Sequence, residues 1–354
     1  MKNIIKLTFA AVTLLTISTA CSEGYIDDIS QVAAGEDKAA PTINILSPTG
    51  NIFIPSVASG SNMNFQYKVS DDIEIGNVEL FLDGVKLASY DKFIDYRNLN
   101  SSFSYNNLGL GNHTFMVNAK DLTGKTATKS FTFNIDKYNK LLESETLYMP
   151  FSTGNVFTDL ISTNNPSVVG APTTISGGHS GAAYQGITGG YLTYPIENLY
   201  GAKELSMAFW YKVDQTQERA GIVVVGDPDE TNNDDGRKKG FRLFREGANK
   251  SIKLNVGIGS SDSYNVFDLG SATGWVHITV TISESESKTY LNGVLQSTST
   301  LSSPISFNNC KNVVIGSGGP TFAYWDHFSD TSAIDEFRFF NKALTPTEIQ
   351  TIMQ

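Results

Sequence analysis

The chain is 354 residues long, with 26 basic against 36 acidic side chains, a formal charge of −10 and two cysteines, Cys21 and Cys310. A chain this acidic lacks the basic footprint by which proteins hold nucleic acid or an anionic membrane surface. Two cysteines also exclude a cysteine-rich zinc site.

Residues 1–20, MKNIIKLTFAAVTLLTISTA, start with Lys2 and Lys6, run apolar over 7–17 and end in the small residues Ser18, Thr19 and Ala20. The apolar run is shorter than the about 20 residues a membrane-crossing helix needs, and the order of parts is that of a cleaved signal peptide. Its removal takes two positive charges and leaves −10 − 2 = −12. The stretch ISTAC resembles a bacterial lipobox, with Ser18 where that pattern prefers Leu. The resemblance implies lipidation at Cys21; the alternative is an ordinary secretory signal followed by a chance cysteine. With Cys21 lipidated, Cys310 has no disulfide partner, and its place beside an apolar run in SFNNCKNVVIGS predicts a buried, inert thiol. Residues 21–40 are acidic, small and polar, which predicts a flexible tether. They resemble the acidic stretches of Bacteroidota surface lipoproteins, implying an outer-membrane lipoprotein facing the cell exterior.

Over 41–136, short alternating runs such as MNFQYKV, NVELFLDG, HTFMVNA and KSFTFNI are separated by turn residues. This spacing predicts a small β-sandwich. Asp83-Gly84 reads as a hairpin turn. Asp71 and Asp72 read as turn caps before the next strand, with metal ligation as the alternative. PTINILSPTGN, VSDDIEIGNVELFLDGVKLAS and LGNHTFMVNAKDLTGKTATKSFTFNI resemble bacterial immunoglobulin-like domains. That resemblance implies a spacer without chemistry.

Residues 137–144 form a polar linker. From 145 to 354, strand patterns recur: LSMAFWYKV, AGIVVVG, GFRLFRE, IKLNVGIG, GWVHITVTIS, KTYLNGVLQS and AIDEFRFF. Only TPTEIQTIM predicts a helix, with Thr345 as cap, Pro346 in the first turn and Glu348 three residues after the cap. LYMPFSTGNVFTD, GGHSGAAYQGITGGYLTYP, LSMAFWYKVD, TGWVHITVTISESESKTYLNGVLQS and SAIDEFRFFNKALTPTEI resemble, in order, the laminin-G-like, concanavalin-A-type jelly roll. The expected fold is therefore all-β: an immunoglobulin-like sandwich followed by a larger concanavalin-A-like sandwich. Such a fold hosts lectins, hydrolases, adhesins and spacers alike.

Hydrolysis of glycosides needs two carboxylates across a cleft, roughly 5–9 Å apart. No E-x-D-x-x-E strand is present, and the nearest pair, Glu284 and Glu286, reads as a polar hairpin loop. His113 and His277 sit in strand patterns, and neither G-x-S-x-G nor H-E-x-x-H occurs. The jelly-roll resemblance implies one structural Ca²⁺ at Asp159 and Asp335 with carbonyls near Gly178 and Gly181. The alternative is that Asp335 caps a strand and Glu336 pairs with a base. Residues 226–241, GDPDETNNDDGRKKGF, are the most polar stretch and read as a long solvated loop, with a ligand loop as the alternative. After it, alternation puts Arg242 and Phe244 on one strand face and Phe241, Leu243 and Arg245 on the other.

Residues 324–327, Tyr-Trp-Asp-His, follow Gly316, Gly318, Gly319 and Pro320 and so fall in a loop. An aromatic face with a carboxylate and an imidazole beside it suits a sugar; an aromatic plug over the sandwich end is the competing reading. The predicted carbohydrate-binding set is Tyr324, Trp325, Asp326, His327, Arg237 and Arg242. No catalytic residue is assigned. The leading expectation is a surface lipoprotein that binds a polysaccharide or oligosaccharide without cleaving it, resembling the glycan-binding lipoproteins of Bacteroidota polysaccharide utilisation systems and working beside other surface proteins of such a system. A glycoside hydrolase or lyase on the same fold is the first alternative, and an adhesin binding a protein the second.

Overall fold

A computed structural model describes residues 37–152, 156–162, 164–201, 203–230 and 233–354. The predicted signal peptide and Cys21 lie outside the described residues. No helix among those residues is long and apolar enough to cross a membrane.

The chain is all-β. In the N-terminal part a three-stranded sheet takes the order Thr42–Ser47, Gly60–Ser70, Asn98–Gly109. A five-stranded sheet takes the order Ile52–Ile54, Thr126–Lys137, Gly111–Asp121, Ile75–Leu82, Val85–Tyr90. Gly60–Ser70 buries every second residue along its length, the alternation of a strand with one face on a core and one in water. The inward residues Phe65, Tyr67, Phe115 and Phe133 close that core, with the Phe65 and Phe115 rings stacked at 4.3 Å. Asp83 and Gly84 both take positive φ, 51° and 80°, and turn the hairpin between Ile75–Leu82 and Val85–Tyr90. Asp71 accepts the N–H groups of Ile73 and Glu74 and so caps its turn.

The larger part is two packed sheets. The first has seven strands in the order Ser167–Val169, Tyr191–Pro195, Asn312–Ile315, Ala220–Val225, Phe241–Glu246, Ser251–Gly257, Asp262–Asp268. The second has eight: Thr173–Ser176, Ala182–Gln185, Ala333–Phe340, Leu205–Lys212, Val276–Ile282, Glu286–Leu291, Val294–Thr300, with Glu145–Met149 also pairing to Ala333–Phe340. Phe209, Val223, Phe241, Leu243, Leu254, Ile278, Phe337 and Phe339 interlock between them. The helix Pro346–Ile352 carries the predicted capping box: Thr345 accepts from the Glu348 N–H and Glu348 reaches back to the cap.

Several strands depart from simple alternation, among them Val276–Ile282, buried at all seven positions, and Ala220–Val225. Ala220–Val225 is buried at all six positions, because its outward face is covered as well as its inward one. What covers it is the loop that carries the predicted aromatic cluster.

Candidate functional site

Residues 316–332 leave the strand Asn312–Ile315 and cross the outer face of the seven-stranded sheet before entering Ala333–Phe340. Phe241 and Leu243 face the inter-sheet core, so Arg242, Phe244 and Glu246 face outward, as period-two alternation requires. On that outer face Phe322 packs against Val224 and Phe244. The crossing is close. A Cβ at Gly221 would lie 2.1 Å from the Gly318 nitrogen, so glycine is required there. The Gly221 N–H donates to Phe328 O at 3.0 Å, pinning the loop to the strand.

The far end of the loop is held from inside the sandwich. Arg245, fully buried, pairs with Asp330 at 3.1 Å, and Asp330 also accepts the Tyr211 hydroxyl at 2.7 Å. Gln217 receives Arg245 through its own carbonyls and receives the Thr331 N–H on its amide oxygen. The buried charge therefore has the ionic and hydrogen-bonding partners that burial demands.

Between these anchors the cluster divides by role. Phe322 and His327 are buried, with rings stacked at 4.7 Å, and both meet Phe244. They are the plug. Trp325 is 49% exposed. Its backbone is left-handed (φ 59°, ψ 29°), and Asp326 follows at φ 63°. Two consecutive left-handed residues other than glycine are unusual, and such conformations persist where the surroundings enforce them. Here Arg219 donates to Trp325 O at 3.1 Å, His327 Nδ1 lies 3.2 Å from Tyr324 O, and the Tyr324 ring stands edge-on to both Phe322 and Trp325. Asp326 sits exposed at the same tip.

Beside Trp325 opens a cleft of about 510 Å³ lined by Arg219, Phe244, Glu246, Lys253, Tyr264 and Val266. Tyr264 and Val266 are outward residues of the edge strand Asp262–Asp268, and both are more than a third exposed. Glu246 is the one carboxylate of this lining. It pairs with Lys253, lies 3.8 Å from Arg219 and has His327 Nε2 at 3.3 Å. Burial pushes its carboxyl upward, but the Lys253 hydrogen bond and the charges of Lys253, His327 and Arg219 outweigh that and hold it below the usual range. Burial keeps His327 below the ordinary imidazole value despite Tyr324 O and Glu246.

Of the predicted sugar contacts, Trp325, Tyr324 and Asp326 share the loop tip, and Arg237 joins them with its guanidinium 5.6 Å over the Trp325 ring. His327 and Arg242 do not reach the surface: both have 0% exposure. Arg242 lies beneath the loop, donating to the carbonyls of Gly236 and Lys239 and to Asn255 Oδ1. These two residues hold the platform from below. The polar loop 226–241 pairs within itself: Lys239 with Asp227 and Glu230, Lys238 with Asp235, Arg237 with Asp234. It includes a short helical turn, Asn233–Gly236, and aims Arg237 at Trp325 and at the Tyr264 hydroxyl, 3.2 Å away. Sequence reasoning missed Arg219, Lys253, Tyr264 and Val266. The sequence pattern places a strand at IKLNVGIG but none at 262–268, and the register that lines Lys253, Tyr264 and Val266 up with Phe244 is a pairing between strands.

Asp159 and Asp335 show a different chemistry from a shared cation site. Asp159 is fully buried and accepts five donors: the N–H groups of Tyr148, Ile161 and Ser162 and the hydroxyls of Ser162 and Tyr194. Those donors fill its lone pairs and do not fit calcium, which wants free carboxylate oxygens. Asp335 accepts the Ser180 and Glu336 N–H groups in hydrogen bonds at 2.8 and 2.9 Å and is held by the His179 backbone as well, while burial pushes its carboxyl up to about 7. Glu336 pairs with Arg338 at 2.8 Å. Among the described residues no group of three or more His, Cys, Asp or Glu could hold a metal ion. Glu284 bonds to Lys203 at the surface and Glu286 to Lys288, away from the cleft. Cys310 is a free thiol, and burial pushes it up to about 11, so it carries no thiolate.

With two face-packed sheets on the page, the class follows. The family model of the Concanavalin A-like lectin/glucanases superfamily, Laminin_G_3, matches residues 186–350, so this part of the chain is similar to that superfamily. Among solved structures the chain is similar to domain 4 of AbnA, a GH43 extracellular arabinanase from Geobacillus stearothermophilus, in complex with arabinotriose (18% identity, TM-score 0.47, 60% of this chain and 98% of that one). It is also similar to the botulinum neurotoxin serotype D binding domain (18% identity, TM-score 0.43, 59% of this chain and 51% of that one). No curated protein matches.

Proposed function

We propose that this protein is a lipid-anchored surface lectin that captures a carbohydrate polymer without cleaving it, within a polysaccharide utilisation system and beside its other surface proteins. The observation that carries the reading is Trp325: a half-exposed indole held in left-handed backbone at the edge of a cleft with Tyr264, Val266, Arg219 and Lys253. Sugar C–H faces pack on such rings, and the surrounding cations and amides take the hydroxyls. A hydrolase would need a second carboxylate across the cleft, and Glu246 stands without one in that lining. The N-terminal sandwich is read as an immunoglobulin-like spacer between the Cys21 lipid and this cleft. Calcium belongs to the proposal only at Asp335, where a buried carboxylate has lone pairs to spare.

The test is a glycan array on the mature protein, read alongside a reducing-sugar assay. The expected result is binding of a polysaccharide or its fragments with no release of reducing ends. Released reducing ends would turn the reading to an enzyme, and a blank array with capture of a surface protein would turn it to an adhesin.

A further inference from the structure

The cleft beside Trp325 has a charge opposite to that of the molecule. The chain carries −10 overall, yet Arg219 and Lys253 line the cleft against Glu246 alone, and at its rim Arg237, paired with Asp234 at 2.8 Å and 3.9 Å from Asp262, bridges the Trp325 ring and the Tyr264 hydroxyl. Glu246 is already engaged by Lys253. Arg219 uses one N–H on Trp325 O, stands 3.8 Å from Glu246, and has a side chain 46% exposed. Beneath the same face lies a second source of positive potential. Arg242 is fully buried, and its hydrogen-bond partners are the carbonyls of Gly236 and Lys239 and the Asn255 amide oxygen. No direct ion pair to it occurs among the described residues; the carboxylate it reaches is Asp262, one hydrogen bond away through Asn255. Arg242 pairs in register with Asn255, and Asn255 with Tyr264, so that charge sits under the row of the cleft. A buried cation with no direct ion pair in a low-dielectric setting adds positive potential to the face above it.

From this we infer that the ligand is an acidic saccharide, a uronic-acid-bearing glycan whose carboxylate meets Arg219 and Lys253 while its ring packs on Trp325. A planar guanidinium matches a carboxylate in a two-point geometry. The inference rests on the proposed lectin reading and adds the charge class of its ligand.

The experiment sets uronic-acid glycans (polygalacturonate, alginate and glucuronan fragments) each beside its carboxyl-reduced counterpart, with titration of the full mature chain at low and high salt. The expected result is an acidic member bound about tenfold tighter than its reduced partner, the size of one charge-assisted contact. That ratio should shrink with added salt. It should also collapse towards one in Arg219→Gln and in Lys253→Gln, the latter pairing with Glu246 rather than with the loop. Binding of neutral glycans with no acidic member preferred would overturn this inference and leave the lectin reading standing. Binding of no glycan at all would overturn both.

Discussion

Phe322 and Trp325 lie three residues apart, and opposite forces fix them. Phe322 is an apolar ring removed from water against Val224 and Phe244, whereas Trp325 is kept out by the left-handed backbone that Arg219 and His327 support. Local sequence shows two aromatics in one loop and nothing that separates their roles, because exposure depends on what the loop crosses. His277 illustrates residue-scale energetics on the other sheet. It is buried beside Trp210, and burial first, then the positive charge of Arg338, pushes its imidazole down to about 3. The folded value lies below the unfolded one, so the contribution is fully present above about pH 6.5 and is lost as pH falls towards 3. The unfolding free energy of wild type should decline between pH 6.5 and 5 with a contribution of about 1.4 kcal/mol per pH unit from this group. His277→Gln should flatten that slope; an unchanged slope in denaturant titrations would refute the assignment. Asp335 has the opposite sign. Its raised carboxyl favours the fold below the unfolded value and loses that advantage as pH rises through about 7. Calcium at pH 8 should therefore raise the melting temperature of wild type and leave Asp335→Asn unmoved. No shift in wild type would dismiss calcium.

At the scale of elements, the loop 316–332 is the unit that makes the site, and its stability is set where it is tied down. Replacing Asp330 by Asn should cost about 3–5 kcal/mol, because Arg245 would be left buried without its counter-charge. The same variant should loosen the loop and weaken binding in parallel; a melting curve identical to wild type would show the ion pair to be dispensable. Much of this element was readable. Gly316, Gly318, Gly319 and Pro320 marked a loop, and alternation in GFRLFRE placed Arg242 and Phe244 on one face and Arg245 on the other. The Arg245–Asp330 pair was not readable, since it joins residues 85 apart in sequence through a fold that must already exist. The assignment of His327 and Arg242 as sugar contacts went further than residue type allows. Both are polar residues near an exposed aromatic, and both are drawn under the loop because its carbonyls need donors. The polar loop 226–241 looked solvated and in fact pairs its own charges, an outcome that its mixed signs permit but do not dictate.

For the whole molecule, the β architecture was legible because strand alternation and turn residues such as Asn292-Gly293, which takes φ 49° and 75° in its hairpin, act over a few residues. The cleft was less so, because it draws on three strands, the approach to a fourth at Arg219 and a crossing loop. The proposed anchoring rests on the sequence alone. Cys21→Ser should abolish lipid labelling and release the protein from membranes, and a variant still bound after a carbonate wash would exclude a lipid anchor at that position. The account's central claim is that Trp325 is a binding platform and Phe322 a structural plug. The most direct measurement is the affinity of Trp325→Ala for a glycan that wild type binds, taken with its melting temperature. We predict a loss of about 1–3 kcal/mol, by analogy with base stacking on aromatic side chains, with melting unchanged. Phe322→Ala should instead lose about 3–5 kcal/mol of stability. Unaltered affinity in Trp325→Ala, or a fall in its melting temperature as large as that of Phe322→Ala, would contradict the account.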